Sequence, residues 1–149
     1  MKRYWSLLLV FAMLSCNKQT DSGEDEGNTI SETREKVKTE SAASYSEPVA
    51  DKDKLNNWKF AVEAFETPMT FKYLLKIQYK ELRVEDTLYI PNLGIQPVVE
   101  LKKGAEDLSC IIGFKGKENE FKEYKKVMVE DGELKITPLK SYRMTTKKE

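Results

Sequence analysis

No histidine occurs anywhere in this chain of 149 residues. That single absence removes the usual general base near neutral pH, the Ser-His-Asp and Cys-His nucleophile arrangements, and imidazole-bearing zinc sites. Cysteine is almost as scarce, with only Cys16 and Cys110. Glycine is sparse too: Gly94, Gly104, Gly113, Gly116 and Gly132 are scattered at expected turns or in a strand, and no phosphate-cradling glycine loop is formed. No apolar run approaches the roughly 20 residues that a membrane-spanning helix needs. Nor is there an excess of one charge, since 25 Lys and Arg balance 25 Asp and Glu.

What is present begins at the amino end. Lys2 and Arg3 precede an apolar run from Trp5 to Leu14, followed by small Ser15 and then Cys16. A charged head, a short apolar stretch and a small residue at the cut describe a secretory signal peptide. The segment resembles the signal peptide of bacterial lipoproteins, with Met13-Leu14-Ser15-Cys16 in the place of the lipobox. The resemblance implies cleavage before Cys16, a diacylglyceryl group on its thiol and acylation of its new amino group. It implies residues 1–15 as signal peptide, Cys16 as the lipidation site and the membrane as a partner through that anchor. Asn17 stands where Asp would signal inner-membrane retention, so the expected address is the cell outer membrane, on its periplasmic or surface-exposed side. Each buried acyl methylene contributes about 0.8 kcal/mol, and two or more chains hold stably.

From Asn17 to about Lys54 the chain is dominated by Ser, Thr, Glu, Asp and Lys. Six cations face ten anions there, a net of −4. Such a composition buries too little surface to offset ordering entropy, so residues 16–54 are expected to be a lipidated, disordered acidic tether with a span of about 30–35 Å. A short helix over 31–39, capped by Ser31, is conceivable but has no apolar face. Residues 55–149 form the expected single small globular domain. Its 17 cations and 15 anions give a net of +2, which argues against a nucleic-acid partner.

Trp58, Phe60, Val62 and Ala64 alternate with their neighbours and predict a first strand with the even positions inward. Thr67-Pro68 is a helix-start signal, and Phe71, Leu74, Leu75, Tyr79 and Leu82 fall on one helical face, which predicts a helix over about 68–82. A strand competes, because Phe71, Tyr73, Leu75, Ile77 and Tyr79 also alternate. Thereafter come strand signals: Thr87–Ile90, Val98–Lys102, Leu108–Phe114, Phe121–Val129, Leu134–Thr137 and a last short stretch at Tyr142–Thr145. Asp131-Gly132 is the strongest hairpin signal. The expected class is α+β, a mostly antiparallel β meander with one helix on the sheet; the alternative is all-β. The element order is similar to that of cystatin-like and nuclear-transport-factor-2-like domains.

The remaining chemistry is thin. The carboxylate pairs Glu85-Asp86, Glu106-Asp107 and Glu130-Asp131 could in principle serve a glycosidase, but they stand beside expected turns or element ends, where acids are simply solvated. Cys110 alternates with Leu108, Ile112 and Phe114 and is expected in the core as a small apolar residue. Lys115, Lys117, Lys122, Lys125 and Lys126, interleaved with Phe121 and Tyr124, read as a solvated strand face. No catalytic, cofactor or metal residue is nominated. The leading expectation is a non-enzymatic, lipid-anchored envelope lipoprotein that binds an envelope protein or a small ligand. A carboxylate-based envelope enzyme and a protein inhibitor or immunity-type partner are the alternatives.

Overall fold

The computed structural model describes residues 30–53 and 55–143. Eight strands follow one another: β1 (Ser41–Pro48), β2 (Lys59–Glu66), β3 (Lys72–Tyr79), β4 (Leu82–Tyr89), β5 (Val99–Lys103), β6 (Ser109–Lys115), β7 (Phe121–Glu130) and β8 (Glu133–Pro138). They form two four-stranded antiparallel sheets in the orders β1-β2-β3-β4 and β5-β6-β7-β8. Connections of two to five residues explain the runs β2-β3-β4 and β5-β6-β7-β8, since so short a reversal lays the next strand beside the last; β1 and β2 are joined by ten residues.

The expectation of an α+β domain with a helix over 68–82 is overturned. That stretch becomes β3 and the start of β4, and the described residues are all-β, the alternative reading. The physical reason is two-sided pairing. Val62 faces Ile77 and Ala64 faces Leu75 across one seam, while Ile77 faces Val84 across the other. Tyr73, Leu75 and Ile77 are thereby buried together. Leu74, the residue that broke the alternation, meets Phe65 on the other face of the sheet. Thr67 is a turn residue and not a helix cap: its Oγ1 donates to the Lys72 carbonyl at 2.8 Å and accepts from the Met69 N–H at 3.3 Å.

The expected tether also needs correction over residues 30–53. Ala43, Tyr45 and Glu47 turn inward while Ala42, Ser44 and Ser46 stay exposed, and β1 pairs along β2. Residues 31–39, the alternative site of a short helix without an apolar face, form no helix but a bent strap, bridged to the β2–β3 turn at Thr33 and Met69. The folded unit thus includes residues upstream of 55. Cys16, the signal segment and residues 17–29 lie outside the described residues, as do residues 144–145 of the expected last strand.

The inward faces of both sheets make one core: Phe60, Val62, Leu75, Ile77 and Leu88 from the first sheet, Val99, Cys110, Ile112, Phe114 and Val127 from the second. Polar links pin the two layers at both sides. Lys103 of β5 reaches Glu47 of β1 at 3.3 Å, and Lys125 of β7 reaches Asp86 of β4 at 3.1 Å. Tyr73 donates its hydroxyl hydrogen to the Pro97 carbonyl at 3.0 Å. In β7 a bulge opposite Ile112 and Gly113 lets Tyr124 join the core beside Phe114. Gly113 sits where a Cβ would run into the Lys122 carbonyl and the Phe121 ring.

The β7–β8 hairpin is closed by Asp131-Gly132, both with positive φ, 53° and 81°. Two such residues in succession make the turn whose twist matches that of the strands. Gly132→Ala has open space for its methyl group, so only backbone strain opposes it. We expect a loss of about 1–2 kcal/mol, read as a lower urea midpoint with an unchanged slope.

Candidate functional site

The exposed face of the first sheet carries a groove of about 290 Å³. Strand pairing assembles it in two rows. Glu63, Lys76 and Glu85 stand side by side across β2, β3 and β4, and Ala61, Gln78 and Arg83 form the next row. Alternation of charge along the first row follows from the register, since opposite charges on directly paired positions attract. The groove offers donors and acceptors of both signs, which suits a polar or zwitterionic ligand. Lys76 also sits 4.9 Å from the centre of the Phe65 ring, so an aromatic surface borders it.

Two further hollows lie at the end of the sandwich that carries both the strap and the β6–β7 turn. One, of about 310 Å³, is bordered by Leu93, Lys117, Glu120, Lys122 and Tyr142. The other, of about 420 Å³, runs along the strap between Thr33, Lys36, Glu66 and Gln96. Arg34 closes its floor. Its guanidinium donates to the carbonyls of Thr67 (2.8 Å) and Thr70 (2.6 Å) and also to that of Met69, and it lies 4.6 Å from the Tyr73 ring centre. With Glu66 at 3.9 Å and the side chain only 6 % exposed, Arg34 fastens the strap and is not free to bind a ligand.

The groups whose acidity is most altered lie between the sheets. Burial, reinforced by Glu47, pushes the Cys110 thiol up to about 12. Burial and then the Glu47 charge push the Tyr45 hydroxyl up to about 12 as well. A buried thiol held protonated is a poor nucleophile. One carboxylate oxygen of Glu47 faces Lys103, and the other is buried without a protein hydrogen-bond donor.

Because both groups have raised values in the folded state, their contribution is fully present below pH 9–10 and is lost as pH rises towards 12. We expect native Cys110 to resist alkylation at pH 8. Each proton released only on unfolding costs the native state about 1.4 kcal/mol per pH unit, so stability falls across that alkaline window. Cys110→Ala should make the fall shallower in urea titrations. An unchanged slope would show that the thiol is not the group involved.

The carboxylate pairs are not brought together. Glu85 points to the groove, whereas Asp86, its neighbour in the middle of β4, turns inward to Lys125. Glu106 is held below the usual carboxylate range by its hydrogen bond with Lys126, and Glu130 by its hydrogen bond with Lys135. The lysines of β7 do not form an open basic stripe either. Lys122, Lys125 and Lys126 each meet an acid, at 2.7, 3.1 and 2.7 Å, and Tyr124 belongs to the core.

Sequence reasoning missed Arg34 and Glu47. The alternation of Ala43, Tyr45 and Glu47 was a signal for Glu47, masked by serines; nothing local distinguishes Arg34 from its charged neighbours. Fold and surface together define a two-sheet antiparallel β-sandwich with a polar groove on one open face. Comparison with protein-family models, with curated proteins and with solved structures finds no match to this chain.

Proposed function

We propose that this chain is an envelope lipoprotein, held at the outer membrane by acyl chains on Cys16, whose β-sandwich serves as a non-enzymatic binding or accessory module. The observation that carries the proposal is the succession Lys2-Arg3, apolar Trp5 to Leu14, Ser15 and Cys16. Support for the binding role comes from the groove along Glu63, Lys76 and Glu85, which offers recognition chemistry on a rigid sheet. Its occupant is a small polar ligand or a polar segment of an envelope protein.

The test is radiolabelled palmitate incorporation in a bacterial host, with and without globomycin, for the wild type and Cys16→Ala. Label in the wild type alone, with precursor accumulating under globomycin, is the expected result. An unlabelled wild type that fractionates like the variant would remove the anchor and the address with it.

A further inference from the structure

The large apolar side chains left exposed are not evenly distributed. Among the described residues they are Val37, Leu55, Met69, Leu82, Tyr89, Val98 and Leu139. Strand direction sorts them. The strap, the β2–β3 turn, the end of β4, the start of β5 and the end of β8 all lie at one end of the sandwich, as the Thr33–Met69 bridge, the Tyr73–Pro97 hydrogen bond and the Leu139–Tyr124 hydrogen bond require. Val37, Met69, Tyr89, Val98 and Leu139 therefore share that end, whereas Leu55 and Leu82 lie at the other. Met69, Tyr89 and Val98 are 51 %, 57 % and 48 % exposed.

The same end is where the chain comes in from Cys16. Ile30 is the first described residue, and the strap that follows it is fastened by Arg34 to the β2–β3 turn. Thirteen residues separate Cys16 from Ile30, a reach of at most about 45–50 Å when fully extended. Turning the opposite end to the bilayer would make this segment run the length of an eight-residue strand, about 26 Å, which its reach allows. The tether thus favours the strap end only by proximity, and the sorting of exposed apolar side chains selects it. We infer that the strap end of the sandwich docks on the bilayer surface, with Met69, Tyr89 and Val98 entering the headgroup boundary. The inference rests on the lipid anchor proposed above.

Tethering makes this contact intramolecular, so a modest apolar surface suffices. Charge at this end is mixed, with Lys36, Lys38 and Lys72 set among Glu32, Glu35 and Glu40. It neither opposes nor by itself carries an approach to anionic headgroups, and the apolar side chains bear the docking. An orientation with the strap end down holds the groove-bearing sheet upright, its face open to the surroundings.

The test uses the full-length acylated protein reconstituted in vesicles of phosphatidylethanolamine and phosphatidylglycerol. Nitroxide labels are placed singly through Met69→Cys and, as the control, Leu55→Cys. Both side chains are exposed, and buried Cys110 does not compete for the label. Docking predicts that a lipid-soluble relaxant such as oxygen broadens the label at residue 69 several-fold more than the one at residue 55, with the reverse for a water-soluble nickel chelate. Equal exposure of both labels to the chelate would overturn docking. Dipolar broadening between residue 69 labels on two copies would overturn it too, in favour of self-association. Intact mass spectrometry of the same sample reports acylation independently, so a lipidated protein with two water-exposed labels defeats the docking alone.

Discussion

Arg34→Ala is expected to cost about 3 kcal/mol of stability and to release the strap from the sheet. The side chain is almost completely enclosed, and it satisfies the carbonyls of a turn that has little else to offer them. Hydrogen bonds from a charged donor are worth about 1.5–3 kcal/mol each, but these acceptors lie near the surface, where water replaces part of the loss. Glu66 would also lose its cation, and Tyr73 the guanidinium beside its ring. Arg34→Lys should recover only a small part, because an ammonium is a point charge that cannot span carbonyls on three residues. Amide exchange in residues 31–38 should approach that of an unprotected chain in both variants, together with a lower urea midpoint for the whole domain. Wild-type protection of the strap in Arg34→Ala would mean that backbone pairing holds it unaided.

Phe114→Ala should be the most damaging core substitution, at about 3–5 kcal/mol. Phe114 is 1 % exposed and stands where three elements meet. Tyr124 from the β7 bulge and Tyr142 from beyond β8 both approach it edge-on, with ring centres 5.8 and 5.4 Å away. The Tyr142 hydroxyl donates to the Glu123 carbonyl at 2.9 Å, so the ring that would have to collapse into the cavity is itself held. A cavity that cannot collapse adds its own penalty to the lost transfer energy. Phe114→Leu leaves a smaller void and should cost about 1–2 kcal/mol. Thermal unfolding followed by Trp58 fluorescence checks the order. A loss below 1 kcal/mol for the alanine variant would show that the three rings do not form a common core.

How legible this arrangement was in advance depended on the range of the forces involved. Asp131-Gly132 was readable as a hairpin because positive φ is a property of the two residues themselves. Leu108 to Phe114 was readable as a buried strand because alternation is local. Residues 68–82 were not, since their apolar spacing fits both periods and only the presence of β2 on one side and β4 on the other selects the strand. β1 was hidden for a related reason: Ala42, Ser44 and Ser46 face water, and the burial of Ala43, Tyr45 and Glu47 comes from β2 and β5. Of the candidate site, the acids and lysines were visible singly. Their alternation in one row, Glu63, Lys76 and Glu85, is a product of register.

By itself the sequence determined the short-range features: the absence of imidazole chemistry, the signal-like amino end, the turns and the strands with unambiguous alternation. Tertiary structure decided the class, the two-sheet division, the inclusion of the strap and β1, and the sorting of exposed apolar side chains to one end. The division follows from where the energy lies. A turn or an alternating strand is selected within a few residues, whereas burial, ion pairing and the fate of an ambiguous segment depend on partners that the chain brings close only by folding.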